Sequence, residues 1–293
     1  MYVGVELGGT KIVVAHGTSP DDVSALHRIP TREPQPTLEA VFVHIRELEK
    51  RHGEVRGVGI ASFGPIGVNP DALGYGVMRR TPKPGWSHFD VVGPFRAAFP
   101  NIPMAIDTDV TAAAFAERRW GAGNGKGNLA YVTAGTGIGA GILVDGVPVH
   151  GALHPEVGHI VVRRDPRDLD YRGRCPFHDD CLEGLACGPS ILDRTGRSGE
   201  DLPGDHPIWS IIGGYLGQLF YTLTLAASPE RIVVGGSLGL REDVLEASRD
   251  RLLQLLGGYI SEYERREAID PYVVKAELGD RAGVLGAIAL VAV

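Results

Sequence analysis

The sequence contains little cysteine, methionine or tryptophan, with three of each among 293 residues. The cysteines, Cys175, Cys181 and Cys187, stand close together in one segment. An odd number of cysteines crowded into one segment makes a poor disulfide framework. The pattern favours metal binding instead.

Long apolar runs and an excess of positive charge are also missing. No apolar stretch reaches the ~18 residues of a membrane span, and the longest candidate, 211–227, is broken by glycine and polar residues. The N-terminus shows no signal peptide pattern. The formal net charge of -7 argues against a nucleic-acid surface. We therefore expect a cytoplasmic protein with neither a membrane nor a nucleic acid as its partner.

Glycine, in contrast, is abundant, with 41 residues. Gly8-Gly9-Thr10-Lys11 separates two strand-like segments near the start, and Gly135-Thr136-Gly137 separates two more in the middle. One hairpin used twice indicates two α/β domains. We predict a first domain over 1–117 and a second over 118–281, with a helix at about 282–293 packing back onto the first.

Glycine-rich turns of this kind can bind phosphate, because successive backbone amides form an anion-binding concavity. A third turn, Gly235-Gly236-Ser237, follows the strand-like segment 232–234 and suits the nucleoside end of a nucleotide. Each motif alone is more often a simple turn, whereas three of them, each after a buried strand, favour a nucleotide. The Walker pattern and the dinucleotide fingerprint are both absent.

Two carboxylates stand where a predicted strand, 103–106, passes into a predicted helix, 112–120. Asp107 and Asp109 can be interpreted as helix caps, or one of them as the general base that accepts a proton from an attacking hydroxyl. Glu6, beside the first turn, can organise Mg²⁺ through water or be an exposed strand residue.

The spacing Cys175-x-x-His178-x-x-Cys181 places three metal ligands in one loop, and His159 can complete the set. Two thiolates and two imidazoles suit structural Zn²⁺, with no position left open for catalysis. The alternative is a group of unligated polar loop residues. Cys187 lies outside the spacing, and we expect a buried thiol there. Glu156 and Glu183 flank the cluster, so zinc would shape a substrate site.

These motifs together resemble the ROK family (repressor, open reading frame, kinase) over nearly the whole chain. Within the family, the chain is similar to the bacterial fructokinase branch, on the strength of the segment 81–86 (TPKPGW) and of His178 in the cysteine motif. The resemblance implies an α/β, actin-like (ribonuclease H-like) fold, with two domains closing on sugar and ATP. It also implies a homodimer.

The resemblance assigns a role to each matching position. Asp109 matches the catalytic base, and His159, Cys175, His178 and Cys181 match the zinc ligands. The sugar contacts are Gly64, Pro65, Thr108, Asp109, Glu156, His159 and Glu183. The nucleotide contacts are Gly8, Gly9, Thr10, Lys11, Gly135, Thr136, Gly137, Pro189, Gly235, Gly236, Ser237 and Leu238. Two positions depart from the usual pattern: Thr111 replaces an Asn, and Glu6 replaces the Asp common in the family's glucokinases, although the fructokinase branch often has Glu there.

The implied reaction is transfer of the γ-phosphoryl group of Mg-ATP to the 6-hydroxyl of D-fructose. Mannose and glucose are alternative substrates within the same family. A sugar-responsive repressor would need a DNA-binding segment of roughly 60–80 residues, and the first strand begins at residue 2. A non-catalytic sugar-binding protein is expected to have lost Asp109 or the phosphate turns, and both are present.

Overall fold

The computed structural model describes residues 1–292, which divide into two compact units. Unit 1 comprises 1–124, 148–155 and the chain from Leu278 onward, and unit 2 comprises 125–147 and 156–277. The boundary expected at residue 117 falls inside a helix that continues to Trp120. Unit 1 therefore extends further along the chain than the sequence indicated.

Each unit contains one five-stranded sheet within the described residues. The strands are β1 (Tyr2–Leu7), β2 (Lys11–Gly17), β3 (His27–Pro30), β4 (Gly57–Ser62), β5 (Met104–Thr108), β6 (Leu129–Ala134), β7 (Ile138–Val144), β8 (Val147–Pro148), β9 (Arg231–Gly235) and β10 (Val273–Lys275). The sheet orders are β3-β2-β1-β4-β5 and β8-β7-β6-β9-β10. The same topology is thus used twice, as the repeated hairpin predicted.

The helices vary from four to twenty residues. They are α1 (Pro34–His52), α2 (Val92–Ala98), α3 (Asp109–Trp120), α4 (Leu182–Ala186), α5 (Gly188–Thr195), α6 (Ile208–Ala227), α7 (Gly236–Gly239), α8 (Glu242–Leu256), α9 (Arg266–Ile269) and α10 (Ala282–Ala289). Within residues 1–292, none of them is both long and apolar enough to span a bilayer.

In unit 1, the strands β1, β4 and β5 are parallel, and their carboxyl ends are aligned. Leu7 pairs with Ser62, and Ser62 pairs with Thr108. The carboxyl ends of parallel strands are where α/β proteins bind ligands. The register therefore brings the segments that follow Leu7, Ser62 and Thr108 to one edge of the sheet.

Helix α10 packs against β4 and α3, with backbone in direct contact. A Cβ at Gly59 would lie 1.7 Å from the Ala287 carbonyl oxygen, and one at Gly286 would lie 1.9 Å from that of Ala112. Only glycine fits at such distances. The C-terminal helix ends at Ala289, three residues before the end of the described chain, so it is shorter than the predicted 282–293; residue 293 lies outside the described residues.

In unit 2, α6 and α8 pack closely over the sheet. A Cβ at Gly213 would lie 2.5 Å from the Ala247 side chain, and one at Gly217 would lie 2.6 Å from the Arg251 side chain. Outside these helices, the irregular segment 156–181 is held by a buried ion pair, in which Arg194 donates to both carboxylate oxygens of Asp168 at 2.7 Å. A buried ion pair therefore stabilises a segment that contributes few side chains to the hydrophobic core.

Candidate active site

Asp109 begins α3 immediately after β5, and it is not the cap of that helix. The cap is Thr108, whose Oγ1 accepts a hydrogen bond from the Thr111 amide at 3.1 Å. The Thr111 hydroxyl accepts one from Thr108 Oγ1 at 2.8 Å, so it is engaged in this pair. Asp109 Oδ1 accepts a hydrogen bond from the adjacent Val110 amide at 2.9 Å. Because Thr108 supplies the cap, the carboxylate of Asp109 is not needed to cap the helix and can also accept a proton.

Two carboxyl groups at this edge of unit 1 have raised pKa values. Burial raises the pKa of Asp109 to about 6, against hydrogen bonds from backbone amides that lower it, one of them from Val110. Burial and, to a smaller extent, the charge of Asp109 raise the pKa of Glu6 to about 7 against the opposing charge of Lys11. Paired carboxyls with displaced pKa values are typical of sites for proton transfer or metal binding.

The turn at residues 8–10 joins β1 to β2, and its carbonyl groups accept hydrogen bonds from side chains of other segments. Thr31 donates its hydroxyl to the Gly8 carbonyl at 2.7 Å, and Lys83 donates to the Gly9 carbonyl at 2.5 Å. A Cβ at Gly8 would lie 2.6 Å from the Lys11 carbonyl oxygen, so the turn requires glycine there. The sequence indicated Lys83 only as part of the segment 81–86, whereas the structure shows that its ammonium group contacts the turn.

Two histidines of the segment 148–155 lie in unit 1, and the sequence had assigned no role to either. His150 Nε2 lies 3.2 Å from Asp107 Oδ1, within ion-pair distance although not aligned as a hydrogen bond. His154 Nε2 accepts a hydrogen bond from the Ile66 amide at 3.2 Å. Burial lowers the pKa of His154, which keeps the ring neutral and able to accept. The hydrogen bond with the Ile66 amide places His154 beside the Gly64-Pro65 loop, which follows β4.

In unit 2, the predicted nucleotide loops come together. Gly188, the first residue of α5, donates its amide to the Gly135 carbonyl at 2.7 Å, and Pro189 follows it. A Cβ at Gly135 would lie 3.3 Å from Ser237 Oγ. Gly236 has a φ of +81°, and a Cβ there would lie 2.3 Å from the Ala134 carbonyl oxygen. Thr136 lies within the same turn, whereas the Leu238 side chain, next to Ser237, is buried in the hydrophobic core.

Glu183 lies in the first turn of α4 and contacts the turn at 135–137. Its Oε2 accepts a hydrogen bond from the Ile138 amide at 2.9 Å, and a Cβ at Gly137 would lie 2.7 Å from the same oxygen. Glu156 is exposed, and its carbonyl accepts a hydrogen bond from the His159 amide at 3.0 Å. The structure therefore connects one predicted sugar contact, Glu183, with a predicted phosphate turn.

The four predicted metal ligands form one cluster in unit 2. The ligand atoms of His159, Cys175, His178 and Cys181 all lie within 4.8 Å of one another. His159 Nδ1 is 3.4 Å from Cys181 Sγ and 3.8 Å from Cys175 Sγ, and Cys175 Sγ is 3.5 Å from His178 Nδ1. Zn–S and Zn–N bonds of about 2.3 and 2.0 Å place N and S about 3.5 Å apart in a tetrahedron. The residues present therefore fit zinc.

The third cysteine, Cys187, has a different environment. Burial raises the pKa of its thiol, and the side chain is 3% exposed. It is not part of the four-residue cluster. This agrees with the expected buried thiol.

A family model described as "ROK family" matches residues 2–293. The chain belongs to the ROK family. A fructokinase of Pediococcus pentosaceus is 40% identical over 98% of this chain and 96% of the relative. One from Zymomonas mobilis is 39% identical over 99% of this chain and 96% of the relative. The predicted resemblance to the ROK fructokinase branch is confirmed.

The solved structures include a ROK hexokinase from Thermus thermophilus, with a TM-score of 0.78 and 25% identity. The match covers 99% of this chain and 97% of that one. The predicted α/β fold of the actin-like class is therefore confirmed for this ROK chain, including its two five-stranded sheets.

Proposed function

We propose that this ROK protein is an ATP-dependent fructokinase, which transfers the γ-phosphoryl group of ATP to the 6-hydroxyl of D-fructose. The observation that carries the proposal is Asp109, which is free of the capping role, has a pKa raised to about 6, and lies at the carboxyl edge that also bears the glycine turn. The whole-chain matches to fructokinases at 39% and 40% identity support the same reaction.

Asp109 acts as the general base in this proposal. A carboxylate accepts the proton of the 6-hydroxyl as its oxygen attacks the γ-phosphorus and ADP leaves. A raised pKa makes the carboxylate a better base near neutral pH than an ordinary aspartate, while most of it stays ionised at pH 7. Phosphoryl transfer otherwise depends on alignment and charge stabilisation, which the turns supply.

The phosphate contacts of unit 1 are assigned to Gly8, Gly9, Thr10 and Lys11. The backbone of this turn is held by Thr31 and Lys83, so its amides are oriented before ATP binds. Glu6 would hold Mg²⁺ through water, and Mg²⁺ would neutralise developing charge on the phosphates. Burial raises the pKa of Glu6, and a cation beside it would lower that pKa again by favouring the ionised form.

The remaining nucleotide contacts are assigned to unit 2. The convergence of the turn at 135–137, the start of α5 and the Gly235–Ser237 segment supports this assignment. Pro189 is assigned a place beside them. For Leu238 only the backbone is available, since its side chain is buried in the core.

The sugar contacts carry the choice of substrate. They are Gly64, Pro65, Thr108, Asp109, Glu156, His159 and Glu183. Buried hydrogen-bonding groups that match one epimer reject another, because a mismatch leaves a polar group unpaired. Fructose is preferred here over mannose and glucose because the 39% and 40% identical relatives are fructokinases.

Zinc is assigned a structural role. His159, Cys175, His178 and Cys181 would hold it in a closed tetrahedral set, fixing the loop that carries Glu156 and Glu183. We also assign a homodimer to this protein, on the resemblance to its family, and sedimentation velocity measures that state directly.

A coupled assay with ATP and a hexose panel tests the proposed reaction. We expect kcat/KM for fructose to exceed that for mannose, and mannose to exceed glucose. Product analysis should give fructose 6-phosphate. Faster phosphorylation of glucose than of fructose would contradict the substrate assignment, and no phosphorylation of any hexose would contradict the activity.

The pH dependence of kcat/KM should follow the carboxyl groups of unit 1. Protonation removes the base, so kcat/KM should fall about tenfold per pH unit below about 6. An ordinary aspartate, with a pKa of 3.8, would keep the rate level to lower pH. Because Glu6 and Asp109 interact, the observed midpoint belongs to the pair. Thermal unfolding at each pH controls for loss of structure, and a level profile down to pH 5 would contradict the assignment.

A further inference from the structure

Arginine side chains surround a cavity of about 470 Å³ in unit 2, away from the residues assigned to catalysis and binding. Its walls are the loop 163–167 and one face of α8, and its floor is α6. No residue of the cavity lining belongs to the sites described above. The kinase reaction therefore leaves this cavity without a role.

The loop 163–167 is hydrogen-bonded to α6 at both ends of the cavity floor. Gln218 exchanges two hydrogen bonds with the backbone of Arg163, at 2.8 and 3.1 Å. Ser210 Oγ accepts a hydrogen bond from the Arg167 guanidinium at 3.0 Å. Residues 210, 214 and 218 share one face of the helix, since they are four apart. The middle position, Gly214, carries no side chain, which leaves a gap under the loop.

Gly214 is not required by the packing of this chain. Apart from the adjacent residues and backbone of α6 itself, no atom of residues 1–292 lies within 4 Å of a Cβ built on it, whereas Gly213 and Gly217 are required by the contact with α8. A glycine inside a helix costs about 0.5–1 kcal/mol relative to alanine. Gly214 therefore weakens the helix without serving the fold, and its effect is to keep the cavity open.

The cavity carries an excess of positive charge. Four arginines and two aspartates line it. Arg167 is neutralised by Asp165 at 2.6 Å. Within residues 1–292, neither Arg163 nor Arg251 has a carboxylate within ion-pair distance, and Arg251 contributes, after Arg167, to the lowered pKa of Asp165. Arg251 donates to the neutral Gln254 Oε1 at 2.5 Å, which leaves its charge uncompensated. The charges of Arg163 and Arg251 thus remain for an outside anion.

The other two charged residues of the lining are engaged outside the cavity. Arg164 pairs with Asp180 at 3.3 Å, and Asp250 pairs with Arg266 at 2.5 Å. Neither ion pair changes the excess positive charge inside the cavity, which comes from Arg163 and Arg251.

We propose that this cavity binds the phosphate group of a small molecule, as a site separate from the kinase site. The planar guanidinium forms paired hydrogen bonds with phosphate oxygens, which makes arginine the preferred partner for this group. The volume falls within the range of about 300–1,000 Å³ for small-ligand pockets. Inorganic phosphate and a phosphate monoester present the same phosphate oxygens to the arginines. Comparing glycerol 3-phosphate, a monoester, with inorganic phosphate distinguishes the two ligands.

Calorimetric titration with inorganic phosphate and with glycerol 3-phosphate tests the proposal. The kinase site is first filled with fructose and a non-hydrolysable ATP analogue, so that its own phosphate contacts do not contribute. Arg251→Gln should weaken binding about ten- to a hundredfold, the effect of removing one charge-assisted hydrogen bond. Gly214→Leu should abolish binding without lowering the melting temperature, and Gly214→Ala should weaken it while raising stability slightly.

Arg265→Gln is the matched control, because Arg265 is an exposed arginine of unit 2 outside the cavity lining. Its binding should equal that of the unchanged protein, and all variants should keep their fructokinase rate. Equal binding in all variants would overturn the proposal, and so would no binding at millimolar phosphate. A change in sedimentation of Gly214→Leu, with phosphate binding unchanged, would overturn it in favour of contact between two copies of the chain.

Discussion

Replacing Asp109 by asparagine should lower kcat by on the order of 10²-fold or more, while fructose still binds. Asparagine keeps the size and shape of the side chain but cannot accept the proton of the attacking hydroxyl. The Thr108 cap does not involve Asp109, so α3 should begin as before. Steady-state kinetics with the coupled assay, together with calorimetric titration of fructose, separate turnover from binding.

Asp107→Asn is the matched control for this change. Asp107 is an acid two residues away, and its Oδ1 accepts a hydrogen bond from the Thr108 amide at 2.7 Å, which an asparagine carbonyl can also accept. We expect its kcat to fall by less than about tenfold. A larger loss of kcat in Asp107→Asn than in Asp109→Asn would mean that Asp107, and not Asp109, is the general base.

Replacing Cys181 by serine should abolish stoichiometric zinc binding and lower the free energy of unfolding by on the order of 4 kcal/mol, a size that metal loss can reach. A serine hydroxyl is a poor ligand for zinc, and the three residues left cannot close the tetrahedron. Metal analysis of the purified protein and thermal unfolding with and without a chelator measure the two effects.

Cys187→Ser is the matched control, because Cys187 is buried and lies outside the ligand cluster. It should keep full zinc content and lose only the roughly 1–3 kcal/mol expected for a polar group in the core. Zinc retained in Cys181→Ser, or no zinc in the unchanged protein, would refute the metal assignment.

The local features of the candidate site were predictable. The turn at 8–11, the four residues that cluster for a metal, and the acid at the strand-to-helix junction all follow from short spacings in the sequence. Boundaries were less accurate, since β5 continues to Thr108 where the strand was expected to end at residue 106, and α3 begins at Asp109 rather than at residue 112. Strand and helix preferences overlap at such junctions, and the choice is made by pairing with β4.

Contacts between distant segments were not predictable. The proximity of Glu6 to Asp109, of Glu183 to the turn at 135–137, and of His150 to Asp107 joins segments that lie far apart along the chain. None of these residues lies in a motif whose spacing encodes its partner. Gly214 is a similar case. The sequence does not distinguish a glycine that packing requires from a glycine that packing does not require.

By itself, the sequence of this protein determined where strands, turns and helices form and which side chains can do chemistry, because turn geometry and hydrophobic periodicity act over a few residues. Only the tertiary structure decided that Thr108 rather than Asp109 caps α3, which groups shift each other's pKa, and where a cavity lined by arginine remains. These depend on strand register and on burial, which are properties of the assembled sheet and its packing helices rather than of any single segment.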